Sequence, residues 1–213
     1  MVALRLNNNV MKKVLFLVVF AAVAAGVYWF FFRPSPGPKA PKTPPIQVKQ
    51  HSPAFNAQVD RLLALYMNLG DCIGAIDTVE AKSTATELIS LCDQFPLQEF
   101  EKDTTHIGGT IRVQLSDIRA NAQSLILQTQ LEEMRQDYRM VSESLYPFLK
   151  TIAYTGQPLN WYFTVDPFGP GTEANWLGWR GKEIRNPYFG KMHPTLGDKF
   201  WSQGEIKDSL IAR

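Results

Sequence analysis

The chain is poor in the residues that most often mark metal or redox chemistry. Of its 213 residues only two are cysteine and three are histidine. Cys72 and Cys92 are too few for a disulfide framework and lack C-x-x-C spacing. There is no Gly-rich phosphate loop, no H-E-x-x-H and no G-x-S-x-G. Acidic and basic residues are interspersed and the net charge is +2. That excludes the concentrated basic face of a nucleic-acid binder. Asp166 with Glu173, or Glu183 with Arg185, resemble acid–base pairs only on paper. Hydrolysis by two carboxylates needs them held at a set distance across a pocket, and surface ion pairing is the expected use here. The chain therefore reads as a protein with no catalytic residues.

The N-terminus, by contrast, is informative. Residues 14–32 (VLFLVVFAAVAAGVYWFFF) run without a charge, and about 20 apolar residues cross a bilayer as a helix. Lys12 and Lys13 precede the run, and Tyr28 and Trp29 stand near its far end, where interfacial aromatics are favoured. A cleaved signal peptide, with Ala22-Val23-Ala24 as its processing site, is the competing reading. Cleavage there would leave an exposed VYWFFF end, so an uncleaved anchor is favoured, with residues 1–13 in the cytoplasm. Met11-Lys12-Lys13 also resembles a natural start. Residues 34–45 (PSPGPKAPKTPP) hold six prolines. Within a linker spanning 33–51 they predict extended polyproline II, a spacer of roughly 35–40 Å at about 3.1 Å per residue.

Residues 52–153 carry helical periodicity. Ser52-Pro53 is a start signal, and Phe55, Val59, Leu62, Tyr66, Leu69, Ile73 and Ile76 follow in steps of four and three. Asp77-Thr78 breaks and recaps the chain. Ala81, Ala85, Leu88, Cys92 and Phe95 mark a second helix that ends at Pro96. After a connection over 97–109, capped by Thr104 or Thr105 and soft at Gly108-Gly109, a third stripe runs from Ile107 to Leu125. A fourth runs from Leu131 to Ile152. These predict an all-α domain, an up-down four-helix bundle. In that bundle Cys72 lies about five residues from the Asp77 turn and Cys92 about fifteen. At 1.5 Å per residue their heights differ by roughly 15 Å. A disulfide needs Cα atoms within about 7 Å, so two separate buried thiols are expected.

Residues 154–213 change character, with eight of the fourteen glycines, four of the five tryptophans and Pro158, Pro167, Pro170, Pro187 and Pro194. An irregular aromatic tail closing over the bundle is expected, because each ring can bury on the order of 150–250 Å². Asn186-Pro187 predicts a turn. Trp176, Trp179, Arg185, Asn186 and Tyr188 form the candidate ligand or partner surface.

The run Glu183-Ile184-Arg185-Asn186-Pro187-Tyr188-Phe189-Gly190, then Lys191-Met192, resembles the terminal signature of a bacterial domain family of unknown function. Its members stand alone as secreted or anchored proteins, or are fused to periplasmic adaptor subunits of copper and silver efflux pumps. Trp176-Leu177 matches the family's Trp-Leu. Leu131-Glu132-Glu133-Met134-Arg135, Tyr138, Ser142 and Leu145 are similar to its helical motif, and the likeness spans roughly residues 57–205. The family's metal reading rests on a Cys-Pro-Met triplet, a further Met and a second Cys, soft ligands that select Cu(I). Here the triplet position reads Asp166-Pro167-Phe168, the second Cys falls near Leu196, and only Met192 is kept.

The resemblance thus implies a periplasmic domain on an inner-membrane anchor, with an accessory role beside an efflux or other envelope protein and most soft ligands missing. The alternative is a Cu(I)/Ag(I) chaperone using Met192 and His193.

Overall fold

The structure is a computed structural model that describes residues 51–100, 107–189 and 204–210, all within the unit Pro45–Arg213. The expected anchor at 14–32, most of the linker, the Thr104 and Thr105 cap, and Met192 and His193 lie outside the described residues. Among the described residues no helix is long and apolar enough to cross a membrane.

Four helices form where the periodicity placed them: α1 Pro53–Ala75, α2 Thr78–Asp93, α3 Ile107–Leu127 and α4 Leu131–Thr151, with a 3₁₀ turn at Gln98–Phe100. Ser52 caps α1 by accepting the Phe55 N–H at 3.1 Å, and Pro53 follows in the first turn. At the other end Ile76 adopts φ 65°. Its N–H donates to Ile73 at 3.2 Å and the Asp77 N–H to Cys72 at 2.9 Å. That 6→1 and 5→2 pattern is a Schellman stop. Asp77 then accepts the Glu80 N–H at 3.0 Å and starts α2. One aspartate therefore ends one helix and begins the next. Gly108 and Gly109 fall inside the first turn of α3 rather than in the connection.

The helical stripes are the core. Leu62, Tyr66, Leu69, Leu88, Ile111, Ile118, Val141 and Leu145 are all fully buried. Consecutive helices pack side by side, whereas α1 meets α4 mainly through the stacked rings of Tyr66 and Tyr138, 5.1 Å apart. At one end of the bundle His51 donates to the Ile152 carbonyl at 2.6 Å, which ties the start of α1 to the end of α4.

The all-α expectation is wrong for the tail. Three strands, β1 Leu159–Val165, β2 Glu173–Trp179 and β3 Glu205–Leu210, form an antiparallel sheet in the order β2-β1-β3. The register pairs Tyr162 with Trp176 and Trp161 with Leu177. LNWYFTV and EANWLGW do not alternate, so these strands carry no period-two signal. β1 has six of its seven residues buried or half-buried, so polar residues are not needed on either face. On one face Trp161 stacks on Tyr146 of α4 at 4.4 Å. On the other, Tyr162 stacks on Trp176 at 5.4 Å. β3 is charged and exposed, and it is bulged opposite Trp161 and Tyr162, features that discourage pairing with other chains. Asp208 fastens it to α4, accepting from the Tyr146 hydroxyl and from Lys150 at 2.8 Å.

Among the described residues, side chains rather than a further strand close the outer edge of β2. Arg139 reaches the Glu173 carbonyl at 3.5 Å, and the Tyr188 hydroxyl donates to the Asn175 carbonyl at 2.5 Å. The Leu177 N–H donates to the Tyr66 hydroxyl at 3.0 Å. The aromatic tail is thus a second layer bonded to the helices.

Candidate functional site

Beside the C-terminal half of β2, a groove of about 320 Å³ opens between three walls. Met67, Gly70 and Asp71 of α1 form one. Trp176, Gly178 and Trp179 of β2, with Tyr162 behind them, form the second. The turn carrying Lys182, Ile184, Arg185 and Pro187 forms the third, and Tyr138 lies at the floor.

Glycines shape this space. A Cβ on Gly70 would come within 2.5 Å of the Tyr138 hydroxyl, and one on Gly178 within 2.9 Å of the Tyr162 ring. Both sites need a bare backbone because an aromatic ring lies directly against it. The floor is apolar and the rim is charged. Asp71 and Arg185 pair at 3.0 Å with both side chains close to half exposed. Burial raises the Asp71 carboxyl above its usual range, even though Arg185 pulls the other way. Desolvation therefore outweighs its partner, and this carboxylate would gain from a further cation. Lys182 and Glu183 are exposed beside the pair.

The turn that carries Arg185 is built from the inside. Asn186 is fully buried, and its Oδ1 accepts the Tyr188 N–H at 3.0 Å, the side-chain turn expected of Asn before Pro. Tyr188 is buried among Tyr138, Phe168 and Trp176, with centroids at 6.0, 5.8 and 5.9 Å. Burial lifts its hydroxyl pKa well above the usual value. Of the five candidate surface residues, Trp176, Trp179 and Arg185 line the groove. Asn186 and Tyr188 instead hold its third wall in place.

No family model, curated protein or solved structure matches this chain. The likeness to the efflux-adaptor-linked family therefore rests on the motifs alone, and their positions have structural uses here. Asp166 sits at φ 58° in the β1–β2 connection and accepts the Gly171 N–H at 2.7 Å. Phe168 packs its edge on Tyr188 beneath the Arg139 guanidinium, 5.7 Å from its centroid. The Asp-Pro-Phe triplet thus builds a hairpin turn and a packing contact. Among the described residues no three His, Cys, Asp or Glu side chains converge on a metal-sized site. Cys72 and Cys92 are separate free buried thiols, as the helix heights implied.

Sequence reasoning missed Met67, Asp71, Tyr138 and Tyr162 as groove residues. A signal did exist at Gly70. A glycine inside a 23-residue helix costs about 1 kcal/mol relative to alanine and marks a close approach.

Proposed function

We propose that this chain is a non-enzymatic binding domain, anchored in the inner membrane and displayed in the periplasm, whose recognition surface is the groove beside Trp176 and Trp179. Its partner is an efflux or other envelope protein. The groove carries this reading: an apolar floor with a charged rim, on a frame that side-chain bonds make rigid, suits the docking of another molecule. The uncharged run at 14–32 and the proline-rich 34–45 support an anchor and a spacer. The resemblance of residues 183–192 to the envelope family supports the same address. The hydroxyls of Tyr66, Ser142 and Tyr188 are taken up in bonds that join elements of the fold, which supports a role in structure rather than reaction.

Two measurements on the full chain in a Gram-negative host test the proposal. Val79 is 80% exposed on α2, so a Val79→Cys variant reports on sidedness. With the outer membrane permeabilised, a membrane-impermeant maleimide should label it in intact spheroplasts, and the chain should sediment with membranes. Labelling only after lysis would place the domain in the cytoplasm. A photo-crosslinking amino acid at Lys182 should give a discrete adduct that Trp179→Ala abolishes, whereas the same probe at Val113, on α3, should not. Equal adducts from both positions would remove the groove as the recognition surface.

A further inference from the structure

The groove's dimensions and charges define its occupant more narrowly. We infer that it receives one bulky apolar or aromatic side chain of a protein segment, flanked in that segment by one basic and one acidic residue. This inference rests on the binding-domain reading above and deepens it.

Size is the first argument. At about 320 Å³ the groove is at the low end for a ligand site. It accommodates a single large side chain, the kind of central anchor that dominates protein interfaces, and little else. Its walls match such an anchor. Trp176, Tyr162 and Leu177 are at most 3% exposed, and Trp179 and Ile184 are half-buried at the opening.

Charge is the second. The rim holds Asp71 and Glu183 against Lys182 and Arg185, which sum to zero. A strongly acidic or strongly basic segment gains from one pair what it loses to the other. A segment with opposite charges on either side of its anchor opposes each rim charge with its complement. Like-charge juxtaposition is what excludes the wrong partner. The Asp71–Arg185 bond sets one acid directly beside one base on that rim. The raised Asp71 carboxyl agrees with this, because a basic residue arriving there relieves the desolvation that Arg185 leaves uncompensated.

The test uses the full-length chain in detergent and its tryptophan emission. Blocked peptides Ac-Lys-Phe-Glu-amide and Ac-Glu-Phe-Lys-amide cover the two orientations. One of them is expected to give a saturable change with Kd on the order of 1 mM or below. Ac-Lys-Ala-Glu-amide, Ac-Lys-Phe-Lys-amide and Ac-Glu-Phe-Glu-amide are expected to bind at least about tenfold more weakly. Asp71→Asn should weaken the favoured peptide about tenfold, and Asp93→Asn, in the separate Arg119 pair, should leave it unchanged. Circular dichroism of each variant guards against unfolding.

Three results would overturn the inference. They are no saturable change with either mixed-charge peptide, equal binding of the like-charged peptides, or free phenylalanine binding as tightly, which would make this a small-molecule site. Any of them can occur while the Lys182 adduct and the outward labelling of Val79→Cys persist, so this inference and the reading beneath it fail separately.

Discussion

The Tyr66 hydroxyl accepts the Leu177 backbone N–H at 3.0 Å, joining residues 111 positions apart. Tyr66 also lies 2.7 Å from the Ser142 hydroxyl, whose own proton goes to the Tyr138 carbonyl at 3.0 Å. The direction of the middle bond follows: Tyr66 donates to Ser142. The relay runs from β2 through α1 into α4, and every member is buried. Chains of buried bonds polarise one another, and any break leaves a costly orphan.

Tyr66→Phe therefore removes more than one bond. It leaves the Leu177 N–H and the Ser142 hydroxyl without their partner, at about 2–3 kcal/mol in total. Urea denaturation of the wild type and variant measures this. Combining it with Ser142→Ala should cost less than the sum of the two single changes, since both break the same relay. Simple additivity would show that the bonds act independently.

Two helical glycines should respond to alanine with opposite signs. At Gly109, in α3, an added Cβ meets nothing within 4 Å. Gly109→Ala should stabilise by about 0.5–1 kcal/mol through helix propensity. At Gly70 the Cβ meets Tyr138, whose ring is already stacked on Tyr66. Gly70→Ala should destabilise by roughly 1–3 kcal/mol despite the same propensity gain. Thermal midpoints of the two variants should move to opposite sides of the wild type.

The pH profile follows from the same burial. Desolvation pushes Tyr66 up to about 12 and holds Tyr138 and Tyr188 well above their usual value near 10. A raised pKa means that the unfolded chain loses these protons first. Their stabilisation is complete below about pH 10 and is lost as pH climbs toward 12. Tyrosinate absorbance and far-UV circular dichroism should change together in that window. Acid acts elsewhere. Lys150 and Tyr146 hold Asp208 down to about 2. Its contribution is present above about pH 4 and fades as pH falls toward 2. Asp208 is about half exposed, so β3 should loosen from α4 without global unfolding, visible as a shift in Trp161 emission that Asp208→Asn removes.

The thiols should be inert. Burial pushes Cys92 up to about 12 and raises Cys72 as well. A chromogenic disulfide reagent should titrate neither in the native protein and both in denaturant, with no intramolecular disulfide after mild oxidation. Rapid reaction of Cys92 in the native state would show that α2 packs more loosely than the burial of that thiol requires.

Helix positions, the Ser52 and Asp77 caps and the Asn186 turn were legible in the one-dimensional pattern, because each depends on neighbours within a few residues, and the separation of the cysteines followed once the two helices were set antiparallel. A stripe at steps of three and four needs no knowledge of what it packs against. The sheet was not legible, since alternation appears only when one face meets water and β1 is covered on both. The groove was half legible. Trp176, Trp179 and Arg185 stood out by composition, but Met67, Asp71 and Tyr138 belong to helices whose facing was read only as core or solvent. Local chemistry decided which segments are helical and where they stop. Only the tertiary contacts decided that the tail pairs as strands, that tyrosine hydroxyls close its edge, and that Asp71 meets Arg185, because those bonds join residues more than thirty positions apart or couple segments whose own patterns say nothing of one another.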